Sequence, residues 1–275
     1  MIKGRDIIIH LAMKYDGNWN DIYNAIKVKE PVSEDEINYS LTTLKSQALT
    51  IIDDDYPERL KKIYKPPFVL FYYGDLSLLD ERKETLAIIG SREPTTYGQT
   101  LTKIITKDIV KEQIIIVSGL AKGIDLIAHQ EAIKHQGKTI AILGSGIDKC
   151  YPQQASETYQ TIKQDHLLIS EYPNTSDPDK QHFPWRNRII AGLADAIFVS
   201  DAKKRSGTLI TVGYGLYLGK DIYVLPHHAG IDSSCNRLIK DGATLVESAF
   251  DILEAMRTIK NDLSEQPKPN ESLFN

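Results

Sequence analysis

The chain has 275 residues, 41% of them hydrophobic and 25% charged, so it can bury a sizeable core as one large domain with a small one beside it. Its net charge of -4 excludes general attraction to polyanions, and any nucleic-acid site has to be a local patch of cations. Cys150 and Cys235 lie far apart with no CxxC partner, which leaves no disulfide framework and no cysteine zinc site and fits a reducing cytosol.

The opening MIKGRDIIIHLAMKYDG is interrupted by His10 and Lys14 and is too short and polar for a signal-peptide core or a membrane span, so a cytoplasmic protein without a membrane anchor is expected. From Arg5 to about Ala48 the pattern predicts short helices. Ser33-Glu34-Asp35-Glu36 is a capping box, with Ser33 as cap and Glu36 at the third helical position. Ile37, Leu41, Leu44 and Ala48 fall at helical spacing and read as core. Residues 1–55 are therefore expected to form a small helical domain. Asp53-Asp54-Asp55, ahead of Tyr56-Pro57, reads as an acidic loop at a domain junction, since no ordered ligand spacing follows it.

After Pro66-Pro67 come apolar runs at Val69–Tyr73, Leu86–Ile89, Ile114–Val117, Thr139–Leu143, Leu167–Ile169, Ala196–Val199 and Ile222–Leu225. Helical stretches, among them Gln99–Lys111, Ile124–Lys134 and Thr208–Leu218, lie between several of them. Strand and helix in alternation predict an α/β fold, a mostly parallel sheet with helices on both faces, over residues 56–259. Thr244–Val246 reads as one more short strand and Ala249 to Ile259 as a closing helix. Residues 260–275, polar and without period, are expected to be a flexible tail.

In open parallel sheets, ligands bind outside the carboxyl ends of the strands, where loops and helix N-termini present unpaired N–H groups. Small residues cluster at those points. Gly90-Ser91, Ser118-Gly119, Gly144-Ser145-Gly146 and Ser206-Gly207 let a phosphate approach the backbone, so Gly90, Ser91, Ser118, Gly119, Gly144, Gly146, Ser206 and Gly207 are candidates for a phosphate-binding crevice. Each motif is equally what a tight turn into a packed helix requires. Gly144-Ser145-Gly146 lacks the third glycine of the dinucleotide fingerprint, and GxxxxGK[ST] does not occur, so neither an NAD site nor an ordinary P-loop is expected.

The most informative stretch is Phe183-Pro184-Trp185-Arg186-Asn187-Arg188-Ile189-Ile190-Ala191-Gly192-Leu193, which sets aromatic rings beside fixed guanidinium charges. Cations neutralise phosphates while a ring stacks an unpaired base, a combination suited to single-stranded nucleic acid. The alternative is that the rings pack into the core and the arginines pair with Glu171 or Asp201. Lys203, Lys204 and Arg205 precede Ser206-Gly207-Thr208, which predicts a loop opening a helix whose amides can hold an anion. His129, four residues after Asp125 on a helix, is expected to hydrogen-bond to it. His227-His228 are adjacent and no HExxH occurs, so no metal site is expected.

Together and in this order, these segments resemble the DNA-processing protein A (DprA/Smf) family. The resemblance runs from about Leu60 to Ala243 through Gly90-Ser91-Arg92, SGLAKGID (118–125), Gly144-Ser145-Gly146-Ile147-Asp148, Ser170-Glu171-Tyr172-Pro173, FPWRNRIIAGL and SGTLIT (206–211) to Asn236-Arg237-Leu238-Ile239. It implies an extended Rossmann-like fold that binds and protects single-stranded DNA and helps load the RecA recombinase during natural transformation. It further implies a homodimer, no cofactor and no catalytic residue, and a pocket using Arg92, Lys122, Phe183, Arg186, Asn187 and Arg188. Asp201, Val212, Pro226-His227 and Ser234-Cys235 depart from the family's usual residues, so the carry-over is weakest between His227 and Cys235. After about Ile259 no winged-helix domain of the kind that some relatives carry is expected.

The rival is a phosphoribohydrolase of similar fold with a PGGxGTxxE loop. Here Thr211 occupies the glutamate's position and cannot transfer protons as a carboxylate does.

Overall fold

The computed structural model describes residues 3–174, 176–204 and 206–265, with side chains described through Thr258. Helices α1 (Gly4–Lys14), α2 (Trp19–Lys27) and α3 (Glu34–Thr43) come first, followed by β1 (Gln47–Thr50), α4 (Glu58–Lys61) and β2 (Val69–Gly74). Strands and helices then alternate: β3 (Thr85–Gly90), α5 (Thr96–Lys111), β4 (Ile115–Ser118), α6 (Ile124–Lys134), β5 (Thr139–Leu143), α7 (Ser156–Asp165), β6 (Leu167–Ser170), α8 (His182–Leu193), β7 (Ala196–Asp201), α9 (Gly207–Tyr217), β8 (Asp221–Val224), α10 (Cys235–Lys240), β9 (Thr244–Leu245) and α11 (Ala249–Glu265).

Among the described residues one nine-stranded sheet has the order β1-β2-β6-β5-β4-β3-β7-β8-β9. From β6 to β9 every pairing is parallel, and β1 and β2 extend it antiparallel at one edge. This is the Rossmann-like α/β arrangement. The central strands β3 to β7 are buried along almost their whole length, which is why their sequences are continuous apolar runs with no alternation. Alternate side chains enter different layers. Ala87, Ile89, Val117, Ile140 and Ile142 pack with Ile189 and Ile190 of α8 and Val212 of α9. Leu86, Ile88 and Ile116 pack on the other face with Ile105 and Ile109 of α5, Ala128 and Ala132 of α6 and Ile252 of α11.

The amino-terminal helices share this second face at the β2 edge. Ile9, Leu11, Ala12, Ile22 and Ala25 form one apolar cluster with Phe71, Ala141, Leu143 and Leu168. The capping box forms as expected at α3: Glu36 N donates to Ser33 Oγ at 3.3 Å, and Ser33 N donates to Glu36 Oε2 at 2.9 Å. Ala48 corrects the helical reading of this region. It lies on β1, paired with Phe71, because α3 ends at Thr43 and Gln47–Thr50 then add a strand to the sheet edge. Asp53 accepts from Thr50 N and pairs with Arg5 at 3.0 Å, so the acidic run is a turn closed by its own backbone and one arginine. The closing helix continues past Ile259 to Glu265, against the expectation of a tail from residue 260; residues 266–275 lie outside the described residues.

The chain builds β3, β4, β5 and β6 outward in one direction, then returns to place β7 on the other side of β3. Loops after β3 and β7 therefore diverge at this reversal. It is the point at which an open α/β sheet offers a crevice.

Candidate functional site: a cationic and aromatic crevice at the strand reversal

A crevice of about 810 Å3 opens there, floored by the end of β3 and the loop after β4 and walled by α8 on one side and the start of α9 on the other. Gly90, Ser91 and Arg92 enter it from the loop after β3, Lys122 from the loop after β4, Phe183, Arg186 and Asn187 from α8, and Ser206 and Gly207 from the mouth of α9. Nine of the sequence-predicted residues are thus brought together.

Arg92 is exposed, and its guanidinium lies 5.5 Å from the centre of the Phe183 ring. Phe183 is half-buried and tilts against Tyr151 at 5.4 Å, so one edge of the ring is braced while the crevice side stays open. Arg186 lies deeper, only 4% exposed. Its Nη1 donates to Gly119 O at 2.7 Å and to Ile142 O, and its Nε donates to Asn187 Oδ1 at 3.1 Å. Burial pushes its pKa down to about 10, opposed by the Asp125 carboxylate and reinforced by Arg92, so it remains a cation at neutral pH. Asp125, buried beside it, accepts from Gly119 N at 3.1 Å. Its pKa is raised, chiefly by burial, with Arg186 and backbone N–H groups opposing the shift.

At the mouth of α9, Ser206 makes no side-chain cap to the helix and its Oγ has no partner among the described residues. A Cβ on Gly207 would meet nothing within 4 Å, so the chain is uncrowded where α9 opens. Such a terminus carries the positive end of the helix dipole and unsatisfied N–H donors. Lys203 lines the same crevice; Arg205 lies outside the described residues.

Five predicted residues do not line the crevice. Arg188 is fully buried behind α8: Nη2 pairs with Glu171 Oε1 at 2.6 Å, Nε donates to Lys65 O and Nη1 to Trp185 O, both at 3.1 Å, and the guanidinium lies 4.2 Å from the Trp185 ring centre. With these groups engaged it has nothing to offer a ligand. Trp185 is held there too, donating from Nε1 to Glu171 Oε2 at 3.1 Å. Ser118 is buried, its Oγ donating to Ile88 O at 2.6 Å. Gly119, Gly144 and Gly146 make room for protein rather than for phosphate. A side chain on Gly119 would collide with the Arg186 guanidinium, one on Gly144 would come within 2.7 Å of Phe183 Cδ1, and one on Gly146 would collide with the backbone of Pro173, Asn174 and Ser176. Two of these glycines therefore act on the site indirectly, by seating Arg186 and Phe183.

Two further expectations change. Among the described residues Asp201 pairs with no arginine; its carboxylate accepts from Thr95 N at 2.8 Å and Thr95 Oγ1 at 2.9 Å, fixing the start of α5. His129 bonds to Thr139 Oγ1 at 2.7 Å rather than to Asp125, because Asp125 is occupied by backbone donors. Burial lowers the His129 pKa to about 3. Sequence reasoning passed over Glu93, an exposed carboxylate in the crevice, whose only signal was its place directly after Gly90-Ser91-Arg92. Thr211 does line the crevice, so a hydroxyl stands where the rival hydrolase would need its carboxylate.

The family DNA recombination-mediator protein A matches residues 47–257. The chain belongs to this family. It is 42% identical over 222 residues to DNA processing protein DprA of Streptococcus pneumoniae, covering 80% of this chain and 77% of that one. The X-ray structure of DprA from Streptococcus pneumoniae superposes with a TM-score of 0.74 at 35% identity, over 90% of this chain and 92% of that one. DNA processing protein A of Helicobacter pylori, known for its single-stranded DNA binding mode, superposes with a TM-score of 0.68 at 30% identity, over 80% of this chain and 98% of that one. Among the described residues no helix is long and apolar enough to cross a membrane.

Proposed function

We propose that this protein binds single-stranded DNA in the crevice, protects it and helps load a RecA recombinase onto it in natural transformation, acting in the cytoplasm as a homodimer and without catalysing a reaction. The observation that carries the reading is Arg92 lying 5.5 Å from the Phe183 ring, with the buried cation Arg186 beneath, all opening on one crevice. An unpaired base stacking on Phe183 contributes about 1–3 kcal/mol, while its phosphates meet Arg92, Lys122 and the amides of α9. Duplex DNA has no free base face to offer the ring. The volume is that of sites for single small molecules, roughly 300–1,000 Å3, so each crevice takes only a short piece of strand. Two crevices in a dimer then hold a longer strand through avidity. The Helicobacter pylori relative, a single-stranded DNA binder, supports the same assignment.

The test is fluorescence anisotropy of a labelled single-stranded oligonucleotide against duplex competitor at several salt concentrations, with wild type, Arg92→Ala and Lys122→Ala. Preference for the single strand, weakening with salt and with each variant, is expected; preference for duplex or no binding would sink the reading. Release of base or ribose phosphate from the oligonucleotide would instead identify an enzyme. A RecA filament assay on coated single strands, with and without the protein, tests the loading step.

A further inference from the structure

The crevice proposed for the strand contains an anion of its own. Glu93, from the loop after β3, accepts a hydrogen bond from Lys203 Nζ at 2.6 Å, and Lys203 comes from the loop after β7, so the pair spans the mouth of the crevice at the strand reversal. The hydrogen bond from Lys203 and then the charges of Lys203 and Lys122 hold the Glu93 carboxyl below its ordinary range. Glu93 is therefore paired with one of the crevice's cations and lies in the field of a second that lines the same crevice. Its side chain is 70% exposed. The carboxylates of Asp125 and Asp201, in contrast, are tied to backbone N–H groups and organise the loops they sit in.

We infer that Glu93 is an internal competitor for the strand: its carboxylate occupies the seat on Lys203, at the mouth of the crevice, that a phosphate takes when nucleic acid binds. The inference rests on the proposed binding of single-stranded DNA in this crevice. A carboxylate and a phosphate are anions of similar reach, and a lysine held by one is withheld from the other. A continuous strand brings several phosphates and further contacts, so it displaces one exposed carboxylate readily. A free mononucleotide or inorganic phosphate brings a single anionic group and meets the same competitor. Glu93 thus raises by the same factor the threshold that any anion must pass, and a strand passes it through its further contacts. Because the ion pair is exposed and screened, its effect is modest, about three- to fivefold in affinity.

Salt dependence distinguishes this role from a merely structural one. When a phosphate takes Lys203, the freed carboxylate gathers a cation from solution, offsetting part of the counterion release from the strand. Removing the charge removes that uptake. Glu93→Gln is then expected to tighten single-strand binding about three- to fivefold and to steepen log affinity against log salt by up to about 0.7, one phosphate's worth on a single strand. The experiment measures wild type, Glu93→Gln, Lys203→Gln and the double variant by anisotropy across salt concentrations, and AMP binding in a separate titration. The gain from Glu93→Gln should shrink in the Lys203→Gln background, and AMP, titrated alone, should bind Glu93→Gln more tightly than wild type by a similar factor. If wild type binds the strand but Glu93→Gln binds equally or more weakly, or its gain is the same size without Lys203, the competitor role is overturned and the strand reading survives. If wild type binds no strand, both fall.

Discussion

Arg186 and Arg188 stand two residues apart on α8 and do different work. At 3.6 residues per turn, a step of two carries the side chain about 200° round the helix, from the crevice to the core. Arg186 meets carbonyl oxygens and remains at the base of an open site, whereas Arg188 is closed in by Glu171, Lys65 and Trp185. The lesson is that a run of cations in a motif counts charges without saying how many reach a ligand. One arginine of this pair lines the crevice, and the other holds in place the helix that presents it.

The comparison can be broken most forcefully at Arg188. Arg188→Ala leaves Glu171 buried without its cation, a loss of about 3–5 kcal/mol that should lower the melting temperature on the order of 10 °C. A melting temperature unchanged within a degree or two would return Arg188 to the list of ligand contacts. Arg186→Ala should act mainly on binding, weakening it by about 1.5–3 kcal/mol, the range of a charge-assisted hydrogen bond, and flattening the salt dependence. Phe183→Ala sharpens the contrast between charge and stacking. It should remove about 1–3 kcal/mol of single-strand affinity while leaving the salt slope unchanged, and a changed slope would argue against stacking.

The smallest effect lies in the core and depends on pH. His129 is kept neutral by burial, with a pKa near 3 in the folded chain against an ordinary value of 6.5. The unfolded chain takes up the proton first, so this contribution to stability is fully present above about pH 6.5 and is lost progressively as pH falls toward 3. At pH 6 the loss amounts to less than about 1 kcal/mol. Denaturant titrations at pH 7.5 and pH 6, with His129→Gln as reference, read it directly; an equal pH response in the variant would remove His129 from the account.

The fold was largely legible because its strands are covered on both faces and so appear as uninterrupted apolar runs. Ala48 was misplaced because a four-residue edge strand is too short to display its own period, and its apolar neighbours happen to fall at helical spacing. The site was legible where one residue suffices, as with Arg92 and Phe183 after strand or helix boundaries. It was not legible where a distant partner decides. Glu171 claims Arg188 from 17 positions away, and Thr95 claims Asp201 across 106. Glycine carried the same ambiguity: Gly119 and Gly144 announce a close approach, and only the structure identifies Arg186 and Phe183 as what approaches.

The sheet order has a consequence for how the protein is made. Leu86 of β3 lies beside Ala196 of β7, and Tyr72 of β2 beside Ile169 of β6, so neighbours in space leave the ribosome far apart in time. At about 5–20 residues per second, β3 waits on the order of ten seconds for β7. Pairings of such long sequence separation also close slowly. A nascent chain halted before Ala196 would contain Arg92 and Lys122 but neither α9 nor the strand that sets the crevice's second wall. Its cations would be present without the completed crevice, which forms only once β7 and α9 have emerged.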